Sequence, residues 1–293
     1  FNILKSIIRK LYLVGHIQKS NTFLFTIFSV LLIIRNYYLE IIICNGRFKH
    51  FKMFNFDLDI FKWFWGPTWK SGVGILASTG LTQVTGLVYT SMSTSAELAS
   101  YLITLKLVTT ISQFSQAPFY SKIPLFSGLR VKNKIRDLSN RSMSAMFQSL
   151  MVFVFGISFL FFLGDYLLLI IGSNTDLESP SFIVFMAFIW FFERHHAMHA
   201  QIYSTTNKIP FYKMLIISGS INICLMYVLV PKIGVWGFPT SLAISNIVIN
   251  NWWNVKISLN SIQQKFIPYF IRSGLVPLII LVVLSIIRIF VSN

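Results

Sequence analysis

The stretch Trp190 to Tyr203 reads WFFERHHAMHAQIY and follows the almost wholly apolar run Pro180 to Ile189. Its residue types can do chemistry. Histidine titrates near neutral pH, so Glu193 with His196 and His199 is a set able to take up and release a proton. Arg194 is a fixed cation suited to a phosphate or carboxylate. Projected on a helix, His195, His199, Tyr203, His196, Asn207 and Glu193 fall on one half of the cylinder, with Arg194 and Gln201 together on another side. Three readings fit this face. One is a buried network in which Glu193 and His196, at i, i+3, satisfy each other while Arg194 pairs with a neighbouring helix. A second is a zinc site using His195 and His199 at i, i+4, although no acidic or cysteine cluster elsewhere would complete it. The third is the wall of a hydrated, substrate-facing cavity.

A second set lies upstream. Lys106, Thr109, Gln113, Gln116 and Tyr120 step by three or four residues and, at 100° per residue, fall within about 80° of one another. Lys106 sits some eight residues from either end of an apolar run by the same reckoning of helix length, too deep to reach the interface easily, and an intramembrane cation normally faces a partner or water. Ser71, Ser78, Thr82, Thr85 and Tyr89 form a comparable stripe among Gly72, Gly74, Gly80 and Gly86, a pattern that also suits close packing of helices through small residues. Arg35, Lys106 and Arg194 are the Lys or Arg residues deep in apolar segments.

The elements that must carry these residues are membrane helices. Of the 293 residues, 55% are hydrophobic and 12% charged, with a mean hydropathy of +0.68, whereas soluble domains are about one quarter charged. Apolar segments near 22–44, 71–92, 98–121, 143–163, 181–206, 212–230, 236–255 and 270–290 approach the roughly 20 residues that span a hydrocarbon core. Continuous runs predict helices rather than barrel strands, hence an all-α bundle of about eight transmembrane helices. No Gly-rich phosphate loop is present, which argues against ATP hydrolysis in this chain.

The net charge of +16 is organised by topology and implies no nucleic-acid partner. Alternate loops hold Arg47, Lys49, Lys52, Lys62 and Lys70, then Lys122, Arg130, Lys132, Lys134, Arg136 and Arg141, then Lys208 and Lys213, then Lys256, Lys265 and Arg272. The intervening loops hold Lys232 and, at 164–180, Asp165, Asp176 and Glu178. Such asymmetry places the basic loops in the cytoplasm against anionic lipids. Residues 1–21, with Lys5, Arg9, Lys10 and Lys19, depart from the pattern if 22–44 crosses once. Around 129–138, Leu129, Ile135 and Leu138 interleave with basic residues, predicting a short surface helix. Phe51 to Trp65 mixes aromatic anchors with lysines, another interfacial pattern. Cys44 and Cys224 read as small core residues, without metal-like spacing or a disulfide.

Two segments carry a family resemblance. Ser218-GSINICLMYVLVPKIGVWGFPTSLAIS has an Asn within a span (Asn222), Leu229, Pro231, then Gly234 and Gly237 opening a small-residue helix. Glu97-LASYLITLKLVTTISQFSQAPFYSKIPLFSGL opens near a Tyr and ends on prolines before a basic loop. In order and spacing they resemble the bacterial polysaccharide (O-antigen type) flippases of the multidrug/oligosaccharidyl-lipid/polysaccharide exporter superfamily, over about 68–257. Phe238-Pro239 replaces the family's small pair after the second Gly, a change expected to bend that helix. The resemblance implies the C-terminal lobe of a two-lobe transporter: 1–66 a partial helix, one span and an inter-lobe connection; 67–257 the second-lobe bundle; 258–293 an interfacial segment and final span. A first lobe would then precede Phe1.

Also implied are a multi-pass protein of the bacterial inner membrane and alternating access without ATP. The substrate would be an undecaprenyl-diphosphate-linked oligosaccharide, with polysaccharide polymerase or assembly proteins as partners. No enzymatic activity, cofactor or metal is expected. Arg35, Lys106 and Arg194 would face the diphosphate; Gln113, Gln116 and Tyr120 would hydrogen-bond the substrate; Glu193, His196 and His199 would carry a coupling proton. The competing functions are a multidrug/cation antiporter of the same superfamily, which would want a more acidic cavity, and a membrane glycosyl- or acyltransferase using Glu193 or a histidine as base. A non-catalytic scaffold would leave the Lys106 stripe unexplained.

Overall fold

The computed structural model describes residues 95–292 except 171, 174, 209 and 210, together with isolated positions between 58 and 72. The expected spans at 22–44 and 71–92, the interfacial stretch 51–65 as a whole, Arg35 and Cys44 lie outside the described residues. The chain divides into two compact units, Phe1–Phe61 and Lys62–Asn293, and the helices that follow all belong to the second.

Among the described residues from Ser95 onward, ten helices run as α1 (Ser95–Phe114), α2 (Ala117–Tyr120), α3 (Ile123–Val131), α4 (Ile135–Ile170), α5 (Pro180–Ser204), α6 (Phe211–Ile233), α7 (Gly237–Ser245), α8 (Asn251–Ser261), α9 (Phe266–Phe270) and α10 (Val276–Ser292). A 3₁₀ turn, Gly234–Trp236, joins α6 to α7, and wider π-turns at Asn246–Asn250 and Ile271–Leu275 link α7 to α8 and α9 to α10. Among the described residues there is no strand. Among the described residues, three helical stretches are long and apolar enough to cross a membrane: Ile135–Ile170, Lys213–Ser261 and Phe266–Val291. Two long helices fall outside that set, α1 with 20 residues and α5 with 25; the Glu193-Arg194-His195-His196 run makes α5 more polar.

The 49-residue stretch Lys213–Ser261 is folded back on itself. Pro231 lies in the last turn of α6, where a missing N–H removes a ladder bond, and Gly234 takes a left-handed φ of +58° that glycine adopts without strain. A Cβ on Gly237 would stand 2.6 Å from the Val230 backbone nitrogen, so α7 presses directly on the end of α6. The bend expected at Phe238-Pro239 is therefore made at Gly234, and Phe238 and Pro239 are buried in the first turn of α7.

Two further expectations change. The span at 98–121 is interrupted after Phe114, because Pro118 near the start of α2 cannot bond the carbonyl four residues back. Ser149 of α4 donates to the Ser115 carbonyl at this break. The surface helix expected at 129–138 is two elements, α3 ending at Val131 and α4 beginning at Ile135, with Asn133 at φ +54° between them; Leu138 is buried.

α4 is the axis of the bundle. Its 36 residues make a rod of roughly 54 Å at 1.5 Å per residue, longer than a hydrocarbon core is thick. Leu150, Phe153, Ile157 and Phe161 on its inner face pack with Phe182 and Phe191 of α5 in the core. Tyr269 of α9 meets Ser142 near the start of α4 at 2.9 Å, and Arg288 of α10 meets Asp165 near its end at 3.3 Å. The last helices thus run parallel to α4. Arg130 bonds both Thr205 and Ser261, which brings the turns after α3, α5 and α8 to one end of the bundle. Those turns carry Lys132, Lys134, Lys208 and Lys265, so the basic loops gather at that end as the charge pattern predicts. Phe182 of α5 packs edge-on against Trp236 at 5.2 Å, placing the α6–α7 turn at the opposite end.

Candidate functional site

The polar face of α5 packs against α8, and the contacts climb in register. Glu193 meets Asn246, His196 meets Asn251, and His199 meets Ser258; residue numbers rise together, so the two helices are parallel. α6 closes the other side of this seam through Ser218.

Glu193 anchors one hydrogen-bonded string. Asn246 Nδ2 donates to Glu193 Oε2 at 2.7 Å, and Asn250 Nδ2 donates to Asn246 Oδ1 at 2.8 Å and to Ser218 Oγ at 2.9 Å. On the other side His196 Nε2 stands 3.6 Å from the same carboxylate oxygen, an ion-pair distance when the ring is protonated. His196 Nδ1 lies 2.8 Å from Asn251 Oδ1. An amide oxygen only accepts, so Nδ1 carries the proton and Nε2 is the nitrogen presented to Glu193. The acid is 23% exposed and the histidine 5%. One carboxylate therefore faces one titratable base in a mostly dry setting, with neutral amides completing its shell.

The π-turn at Asn246–Asn250 supplies the amides. Wider turns of this kind occur in α-helices at functional sites. Here Asn250 turns to α6 while its neighbour Asn251 turns to α5, since successive helical residues project about 100° apart.

His199 belongs to a different set of contacts. It is fully buried, its Nδ1 lies 3.1 Å from Ser258 Oγ, and its ring packs on Tyr269 at 5.2 Å. His195 lies beside it, ring centroids 4.8 Å apart and edge-on, with Phe270 at 5.3 Å. The expected trio of Glu193, His196 and His199 is thus a bonded pair plus a histidine held by separate partners. Among the described residues no three His, Cys, Asp or Glu side chains come together, so the zinc reading finds no third ligand there.

On the flank of α5, the Tyr120 hydroxyl lies within electrostatic reach of Gln201, Arg194 and Glu193. Gln113, Gln116 and Tyr120 line a pocket of about 340 Å³ with Phe114 and Ala117. The break between α1 and α2 creates it. Arg194 is half-buried, and its buried Nε has no hydrogen-bond partner among the described residues. The fold therefore brings Gln113, Gln116 and Tyr120 to one wall, and Arg194 and Glu193 within reach of Tyr120. Lys106 is not part of this wall: it is exposed on α1, nearly two turns before Gln113. Asn207 lies beyond α5, in the turn that ends it at φ +60°, and Cys224 is exposed on α6 rather than in the core.

Sequence reasoning missed the α8 side of the seam. Asn246, Asn250, Asn254 and Ser258 are all buried and recur every four residues, a polar stripe as regular as the one in α1. It also missed Arg130, whose neighbours share its charge and hide its role.

No family model, no curated protein and no solved structure matches the chain.

Proposed function

We propose that this chain is part of a transporter that moves an anionic, glycan-bearing lipid, of the undecaprenyl-diphosphate-linked type, across the bacterial inner membrane by alternating access. The observation that carries this reading is the sharing of one short segment by two kinds of group. Glu193 is paired with His196 inside the seam, while the next residue, Arg194, lies near Tyr120 at the wall of an open pocket. A phosphate entering that pocket would meet the Tyr120 hydroxyl and the amide donors of Gln113 and Gln116, with the Arg194 cation close by to attract it. Gln113 and Gln116 suit sugar hydroxyls. A proton arriving on the Glu193–His196 pair would change the charge one residue from Arg194, which couples protonation to anion affinity. The family resemblance of 97–129 and 218–245 supports the same reading. Orientation with the basic loops in the cytoplasm follows from their charge.

The test is export of lipid-linked glycan per unit of folded protein between pH 6 and 8. Glu193→Gln keeps the shape and an acceptor for Asn246 but cannot take up a proton, so it should abolish transport or flatten its pH dependence. Arg194→Ala should lower export at near-normal abundance. If both substitutions lower abundance and leave specific export and its pH profile unchanged, the seam is scaffolding and the proposal fails.

A further inference from the structure

We propose that Arg130 is a clasp that seals the basic end of the α5–α8 seam. Nearby Lys132, Lys134, Arg136 and Arg141 are exposed, as expected for residues meeting headgroups. Arg130 instead engages two other helices with all three guanidinium nitrogens. Nε donates to Thr205 Oγ1 at 2.6 Å, Nη1 to the Ser261 carbonyl at 3.1 Å, and Nη2 to the Ile202 carbonyl at 3.3 Å and to Ser261 Oγ at 3.2 Å.

The choice of acceptors explains how a half-buried cation is held without a carboxylate. Ile202 lies in the last turn of α5, Thr205 caps that helix, and Ser261 ends α8. The final carbonyls of a helix lack partners in their own ladder and carry its partial negative charge. Arg130 satisfies two such ends at once. A planar fork can reach both; an ammonium on a flexible stem cannot hold the same four acceptors.

The clasp sits directly below the seam. Ser261 Oγ donates to the Ser258 carbonyl at 2.7 Å, and Ser258 Oγ is the partner of His199 Nδ1 at 3.1 Å. His199 and Ser258 are both fully buried, so one turn of α8 separates the arginine from the dry end of the polar stripe. Buried polar atoms take water readily when a path exists, and Arg130 with the three helix ends it ties together blocks that path. The sealing role stands apart from what the pocket carries, so it survives or fails independently of the transport reading.

The experiment measures water access to Ser258. In the full chain with Cys44 and Cys224 replaced by Ser, Ser258→Cys is exposed to a charged, membrane-impermeant methanethiosulfonate from the basic-loop side. It should be nearly inert with Arg130 in place and react at least tenfold faster with Arg130→Gln. Arg130→Lys should also react faster, because one ammonium cannot span the acceptors. Thr205→Val, which removes one bond of the four, should give a smaller rise. Ser173→Cys, in the distant turn after α4 and probed with the same reagent from the opposite side, should keep its rate in every variant. Equal rates at Ser258→Cys with and without the clasp overturn the proposal, as does a parallel rise at Ser173→Cys, which would mean general loosening. Should Arg130→Gln fail to accumulate, Thr205→Val decides: an unchanged rate there refutes the seal.

Discussion

Replacing Gly237 by alanine tests whether the α6–α7 hairpin is what sets the asparagines against α5. An added Cβ would stand 2.6 Å from the Val230 nitrogen, 2.7 Å from its Cα and 2.9 Å from the Leu229 carbonyl carbon, whereas ordinary contact begins at 3.4 Å. The shortest contact is therefore about 0.8 Å too close. All three atoms are backbone, so no side chain can swing aside, and α7 must move away from α6. A shift of that size would stretch the 2.9 Å bond from Asn250 to Ser218 beyond hydrogen-bonding range. Overpacking of this kind costs about 1–3 kcal/mol, and a lost hydrogen bond adds roughly 0.5–1.5 kcal/mol. At about 2–4 °C per kcal/mol for a unit of this size, Gly237→Ala should lower the melting temperature in detergent by roughly 5–15 °C. The control is Gly128→Ala in α3, where an added Cβ meets nothing within 4 Å; it should be neutral or slightly stabilising, since alanine is the better helix former. Equal melting temperatures for the two variants would refute the close-packed hairpin.

Two other predictions concern the ends of the bundle. Glu178, whose backbone N–H donates to Thr104 Oγ1 at 3.0 Å, has its pKa raised above the ordinary carboxylate value by burial and by nearby Glu97. Its ionised form is thus disfavoured in the folded state, and its destabilising effect is full above the folded pKa and absent below the unfolded one. Glu178→Gln should raise the melting temperature at pH 7 and not near pH 4; an equal effect at both would show that charge is not the cause. For topology, Asn133→Cys should be labelled by an impermeant thiol reagent only from the cytoplasm and Ser173→Cys only from outside, and the reverse would overturn the orientation drawn from the loops.

The helices were legible where apolar runs of about 20 residues are bounded by basic or turn-forming residues, as at α4, α5, α6 and α10. The reversal between α6 and α7 was visible in Pro231, Gly234 and Gly237, although Phe238-Pro239 misled as to where the bend falls. The break after Phe114 was missed because hydropathy runs straight through it; Pro118 was the available sign. Within the site, charge drew the eye to α5, and the Glu193–His196 pairing follows from i, i+3 spacing alone. The partners on α8 are uncharged asparagines in an apolar context, and hydropathy treats them as interruptions. Even their four-residue spacing would not have placed Asn251 on His196, because that depends on a π-turn, which has no sequence signature comparable to a proline. Lys106 illustrates the converse: it shares a helical face with Gln113, Gln116 and Tyr120 yet lies nearly two turns from the pocket they line.

The unpaired atoms of the seam bear on whether it is more than a brace. A network that only holds helices together gains most when each buried donor and acceptor is matched, since leaving one unmatched costs about 1–3 kcal/mol. Glu193, the group that would be costliest to leave alone, accepts from Asn246 and faces His196 Nε2 at 3.6 Å. Among the described residues, Arg194 Nε, His195 Nε2, His199 Nε2, Asn222 Oδ1, Asn250 Oδ1 and Asn254 Oδ1 have no hydrogen-bond partner, and they lie on the three helices that meet here, α5, α6 and α7–α8 with its π-turn. A brace could have used leucine at several of these positions at no loss of packing. Lying along one seam beside an open pocket, these atoms support the proposed transport route, because such a route must offer hydrogen bonds that are free to be taken and released.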